Sequence, residues 1–429
     1  MLLVYSAHIT TRLNYIISAL FGTDAEVTND TTKFKASTNA KINYSNTAAF
    51  EDALTIKPHG LLEEDAVKQQ PIHCFEWNGL KAFFATAGDI PFDLFAAAFY
   101  LVTRYEEYLP YEPDAYGRYA HINSLAFKEN FIHLPLVNLW VREMKEILLK
   151  RFPSFTIHHS PFNYTPTYDV DIAYSYKGKG FLRNMAGLYK DLVAARLNEV
   201  YERFNVITGG EEDPFDSFKW LDELHQRYNL KPIYFFLLAE KNKHYDKNIS
   251  PYTNVMQQLL QKLTSFYKTG IHPSWQSGDD ENTLRKEIAL LAAVKKENVL
   301  LSRQHYIRMT LPATYRLLID SGIQEDYSMG YGSINGFRAS ICTPFYWYDL
   351  TKEEITPLLL RPFCYMEANS FFEQHYSADQ AVVEIRQYHD IVKSVQGELI
   401  TIFHNHFLTK QKQWAEWRRM YEAFMRDVL

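Results

Sequence analysis

The stretch Thr167-Tyr168-Asp169-Val170-Asp171 decides how this chain folds. It closes an alternating run, Phe162, Tyr164, Pro166 and Tyr168, with the period of two expected of a strand. Two carboxylates stand where that run ends. Acidic side chains in such a place are poor packing elements, but they are well placed to hold a metal or move a proton.

Downstream, strands and helices alternate. Phe218, Leu221, Leu224 and Tyr228 mark a helix, and Pro232 to Leu238 is a continuous apolar strand of the buried kind. Leu259, Leu260, Leu263, Phe266 and Tyr267 mark the next helix. Gly270 sits where its C-terminal cap belongs, and Ile271 leads to His272-Pro273-Ser274-Trp275. A helix through Leu284, Ile288, Leu291 and Val294 precedes a strand at Val299 to Leu301, then Ser302-Arg303-Gln304-His305. Gly336-Phe337-Arg338 opens a short strand, and Arg361 to Met366 is a further strand ending at Glu367. Ser377 and Gln380 form a capping box for a helix that Gly397 stops, and Leu399 to Phe403 delivers His404-Asn405-His406.

This alternation predicts an α/β fold with a parallel sheet, closed or nearly closed into a distorted (β/α) barrel over residues 161–429. In such barrels functional side chains gather at the C-terminal strand ends. Asp169, Asp171, His272, His305, Glu367 and His404 all fit that address. Between the Asp pair and the next strand lie a basic, glycine-punctuated segment, Lys177 to Arg183, and a helix around Leu188 to Phe204.

Residues 1–160 are expected to form a smaller α/β domain of unknown role. Leu2 to Tyr5 reads as a strand, Leu13, Ile16, Ile17 and Leu20 as a helix, and Pro91 to Tyr105 and Val137 to Arg151 as two more. No catalytic constellation stands out here. Asp114, Tyr116, Gly117 and Arg118 read as a structural turn ahead of a ligand contact.

The totals narrow the function classes. A length of 429 residues suits two domains, and 47% apolar with 22% charged residues is ordinary for a globular chain. A formal charge of −6 and the lack of a Lys/Arg stripe argue against nucleic acid. Cys74, Cys342 and Cys364 are isolated and read as reduced core residues. With no leader-like start and no long apolar run, a cytoplasmic protein without a membrane span is expected; the oligomeric state stays open.

On the rim, one carboxylate and two imidazoles would hold a divalent metal of the zinc type while leaving a position open; Asp171, His272 and His305 are the candidates. Asp169 is then free as general base and His404 as general acid, with Glu367 orienting His404. Arg338 is expected to hold Asp169 or a substrate oxygen. Strand alternation leaves open whether His404 or His406 faces the site.

Together these segments resemble the polysaccharide deacetylase superfamily, whose catalytic region is the NodB homology domain, and within it a bacterial subgroup with a separate N-terminal domain. The resemblance is carried by residues 167–171, 270–274, 302–306, 326–331, 336–339 and 403–405. It implies a barrel of the glycoside hydrolase/deacetylase type and metal-dependent removal of N-acetyl groups from a carbohydrate. It also implies Asp169 as base, Asp171 as metal ligand and His404 as acid. The usual second motif has two histidines four residues apart; here His272 is followed by Pro273, Ser274, Trp275 and Gln276, so His305 stands in from another strand end. Two alternatives remain: a metal-dependent glycosyltransferase using the Asp-x-Asp pair, and a non-catalytic carbohydrate-binding relative.

Overall fold

The structure, a computed structural model, describes residues 1–47, 50–156, 161–243 and 245–428. The expected boundary at 160/161 falls against residues 157–160, which lie outside the described residues.

Residues 1–156 carry a small parallel sheet. Its strands are β1 (Leu2–Tyr5), β2 (Ala25–Thr28), β3 (Ala40–Asn43) and β4 (Leu54–Thr55), in the order β2-β1-β3-β4. A hairpin of β5 (Phe75–Trp77) and β6 (Leu80–Ala82) follows. The helix Leu94–Val102 is buried at every residue, which explains its unbroken apolar sequence: a helix apolar all round has no solvent face. It is shorter than the sequence suggests, because its C-terminal turn becomes the 3-10 segment Tyr105–Tyr108.

The large sheet comprises β7 (Asn163–Val170), β8 (Ile233–Phe236), β9 (Lys268–Ile271), β10 (Leu301–Ser302), β11 (Glu325–Asp326), β12 (Phe345–Asp349), β13 (Glu354–Leu360), β14 (Tyr365–Met366) and β15 (Glu398–His404). Their spatial order is β12-β13-β11-β10-β9-β8-β7-β15-β14. Every pairing is parallel except the edge hairpin β12–β13. The stretch 354–366 is one run of chain: it pairs first with β11 and ends beside β15, linking the two sides of the sheet. Helices Phe218–Arg227, Asn254–Phe266, Glu281–Lys295, Ala378–Ser394 and Ala415–Val428 pack around it.

One face of this sheet carries its own apolar cluster: Ile233 and Phe235 from β8, Ile400 and Ile402 from β15, with Tyr327, Phe363 and Met366. Alternation along each strand sends Tyr164, Tyr168, Tyr234 and Phe236 to the other face and the main core.

Four expectations need correction. Gly270 is not a helix cap but lies inside β9, where a Cβ would meet the Phe235 ring at 2.6 Å and the Leu301 carbonyl oxygen at 2.7 Å. The strand expected from Arg361 to Met366 is irregular until Tyr365, and Gly336-Phe337-Arg338 is not a strand. The helix placed at Leu188 to Phe204 is two helices, Gly180–Val193 and Leu197–Thr208. The capping box is present: Ser377 Oγ accepts from the Gln380 N–H, and Gln380 Oε1 accepts from the Ser377 N–H.

The two halves share one core rather than touching at a hydrated seam. Tyr15 and Phe99 pack on Tyr348. Glu107 takes two hydrogen bonds from Arg338, 2.8 and 2.6 Å, and one from Arg104, 2.7 Å. All three side chains are fully enclosed.

Candidate metal centre

Six side chains converge at the C-terminal ends of the parallel strands, each delivered by the strand before it. Asp169 is the penultimate residue of β7 and Asp171 follows its end. His272 follows β9, His305 opens a 3-10 turn after β10, Glu367 follows β14, and His404 ends β15.

The chain around Asp171 is fixed by two asparagines. Asn248 Nδ2 donates to the carbonyls of Val170 and Leu237, while its Oδ1 accepts from the Ala173 N–H. Asn405 Nδ2 donates to the carbonyls of Ile172 and Phe215. Both are buried, so this turn cannot relax without leaving amide groups unpaired.

Three imidazoles surround the Asp171 carboxylate. His272 Nε2 is 3.2 Å from Oδ1; His305 Nε2 and His404 Nε2 are each 3.4 Å from Oδ2. Each ring is held from behind through Nδ1. His272 uses the Arg303 carbonyl at 2.6 Å, His305 the buried Asp246 at 3.0 Å, and His404 the buried Glu367 at 2.9 Å. Fixing Nδ1 in this way sets the tautomer and presents Nε2 to the site.

Ligand atoms of Asp171, His272 and His305 all lie within 4.8 Å of one another. Asp171 Oδ1 is buried without a well-directed hydrogen bond, an orphaned acceptor facing this cluster. That donor set, one carboxylate and two oriented imidazoles, fits a divalent metal of the zinc type.

The electrostatics agree with a site built around positive charge. Burial alone would raise the Asp171 carboxyl, but His305 and His272 outweigh it and hold the group well below the usual carboxylate range. Burial works against charge on His305, yet Asp171 and Asp246 carry it up to about 9. Glu367 and Asp171 raise His404 well above the ordinary imidazole value against the same burial. His406 goes the other way: burial and the neighbouring His404 push it down to about 3.

Asp169 is held by Arg303. Its Oδ1 accepts from Nη1 at 2.9 Å, while Oδ2 lies 3.7 Å from His272 Nε2. Arg303 is wholly enclosed. Nη1 also donates to Thr167 Oγ1, Nε donates to the Tyr327 carbonyl, and the guanidinium lies 4.4 Å over the Phe235 ring. Arg338, expected in this role, is elsewhere, on Glu107 and the Gly330 carbonyl. Its strand-like surroundings suggested the rim, but its fork geometry is used up at the junction of the two halves.

The Asp pair therefore does not act as one chelate: Asp169 is committed to Arg303, and Asp171 faces the imidazoles. This division does not favour the glycosyltransferase alternative.

The cluster opens into a cavity of about 540 Å³. Both His404 and His406 line it, so the two were not alternatives. Tyr245, Tyr306 and Phe407 give it aromatic walls. Residues 1–156 also contribute, through Tyr116 and Arg118. Asp114 shapes that turn by accepting the N–H groups of Tyr116 and Arg118. Arg118 then spans from Asp114 to the Tyr306 carbonyl, passing where Gly332 has no side chain to obstruct it. The structural turn and the cavity wall are one feature.

Arg303 carried a visible signal, its place beside His305 in the quoted motif. Asp246 carried none, since it lies in a loop after β8 without periodicity or motif.

Residues 2–153 match a family described as "Family of unknown function (DUF7033)". No curated protein sequence matches the chain significantly. Among solved structures, a Mycobacterium smegmatis protein assigned as a polysaccharide deacetylase is similar at 13% identity and TM-score 0.39, over 63% of this chain and 86% of its own. The Puue allantoinase is similar at 11% identity and TM-score 0.39, over 61% and 83%. The polysaccharide deacetylase Bc1974 from Bacillus cereus is similar at 9% identity and TM-score 0.31, over 62% and 85%. These scores are low, and the chemistry of the site rests on its own geometry.

Proposed function

We propose that this chain is a metal-dependent hydrolase that removes N-acetyl groups from a carbohydrate, on a distorted barrel that the run 354–366 closes. The observation that carries this reading is the Asp171–His272–His305 cluster with a second, separately held carboxylate and a third oriented imidazole beside it.

Asp171, His272 and His305 would hold the metal, which supplies Lewis-acid polarisation of an amide carbonyl and makes water more acidic. Asp169 accepts the proton of the attacking water at Oδ2, because Oδ1 is occupied by Arg303. His404 gives a proton from Nε2 to the departing nitrogen, and Glu367 steadies the imidazolium through Nδ1. Tyr116, Tyr245, Tyr306 and Phe407 offer apolar faces for a sugar ring.

Metal analysis of the purified protein is expected to find about one transition metal per chain, lost in Asp171→Ala and His272→Ala. Acetate is expected from N-acetylated oligosaccharides, and Asp169→Asn is expected to abolish release in a chain that still folds, its melting temperature lowered because Arg303 loses its buried carboxylate partner. Full metal retention in both ligand variants, or no acetate from any amino sugar tested, overturns the proposal.

A further inference from the structure

The connection from β7 to β8 contains a helical pair that the fold does not use for packing. Of helix Gly180–Val193 only Asp191 is buried, and of helix Leu197–Thr208 only Val206. Their apolar residues face outward instead: Phe181, Leu182, Tyr189, Val193, Tyr201 and Phe204 are between 64% and 81% exposed. Spacing places them on one arc of each helix, with Phe181, Met185, Tyr189 and Leu192 stacked along the first. A surface of this kind marks an interaction site in a native protein.

Charge identifies what it meets. Residues 177–203 hold six basic and three acidic side chains, in a chain whose formal charge is −6. Two of the three acids are engaged internally: Asp191 pairs with Arg196 and Arg203, and Glu202 accepts from the Tyr176 hydroxyl and Gln411 Nε2. Arg183 and Lys190 flank the apolar arc and make no ion pair among the described residues. At 14 residues the first helix is about 21 Å long, too short to cross a hydrocarbon core of roughly 30 Å. An apolar arc with basic flanks on a short helix is the pattern of a segment that lies in a bilayer surface. A symmetric second copy would instead bring the same cations against each other.

We infer that the helical pair 180–208 docks the protein on an anionic lipid surface. The pair begins just past Asp171, and the N–H groups of Ser175, Tyr176 and Lys177 tie its root to Asp213. Docking through this root places the lipid surface on the connection that leaves the C-terminal end of β7, the strand end that also carries Asp171.

The test is flotation of the full chain with phosphatidylcholine vesicles, with and without phosphatidylglycerol. Binding is expected only when the anionic lipid is present. Joint Phe181→Ser and Leu182→Ser substitution is expected to weaken binding about tenfold or more at an unchanged melting temperature, since both side chains are exposed. Replacing Arg183 and Lys190 by glutamine is expected to weaken it about fivefold for each lost charge. No binding to anionic vesicles, or equal binding to neutral ones, overturns the inference. So does a dimer in light scattering that Phe181→Ser with Leu182→Ser dissolves, which would assign the face to a second copy. None of these readouts uses the metal or the hydrolysis, so either proposal can fail without the other.

Discussion

Arg303 shows how much one residue can hold at this site. Its guanidinium reaches Asp169, Thr167 and the Tyr327 carbonyl from a fully enclosed position between aromatic rings. Its own carbonyl orients His272, so a single residue fixes both the proposed base and one of the proposed metal ligands. A buried pair broken on one side leaves an uncompensated charge, typically costing about 3–5 kcal/mol. Arg303→Met is therefore expected to lower stability by about that amount in urea titration, and adding Asp169→Asn to recover part of it. Equal stability of Arg303→Met and the native chain would contradict this account. Lysine is not an equivalent here, because its single ammonium cannot satisfy three acceptors in one plane.

Among the elements, β9 is closely approached by its neighbours at Gly270. Gly270 pairs with Phe235 on β8 and faces the cluster beneath the site. The Phe235 ring fills the place its side chain would take, and the same ring lies under Arg303. Gly270→Ala forces a methyl against that ring and against the Leu301 carbonyl, which as backbone cannot turn aside. The expected cost is about 1–3 kcal/mol, read as a lower urea midpoint. An unchanged midpoint would mean that the strands have room the structure does not show. The shift should also reach the site, because Ile271 and His272 follow directly on the same strand end.

At the scale of the molecule, residues 1–156 act as a wall and a support. Glu107 is enclosed between Arg104 and Arg338, and Arg104 also donates to the Arg338 carbonyl. Glu107→Ala leaves the buried Arg338 guanidinium without a carboxylate, while Arg104 keeps Glu106, and is expected to destabilise the whole chain by about 3–5 kcal/mol in a single cooperative transition. A separate early transition for residues 1–156, with the rest melting as before, would show that the halves fold independently.

Much of the site was legible because it sits at strand ends. An alternating run or a buried apolar strand announces where its last residue stands, so Asp169, Asp171, His272, His305, Glu367 and His404 could be placed on one rim from local pattern alone. Sequence by itself determined that rim, the α/β alternation and the types of side chain the chemistry needs. Only the tertiary structure decided which arginine reaches Asp169: the sequence pointed to Arg338, at the opening of an expected strand, whereas the packing brings Arg303 there and leaves Arg338 on Glu107. It alone brought Asp246 behind His305 and Tyr116 with Arg118 into the cavity wall. The physical reason is range. Periodicity reports which face of an element is apolar, whereas a hydrogen bond between residues 59, 134 or 231 positions apart depends on how whole elements pack.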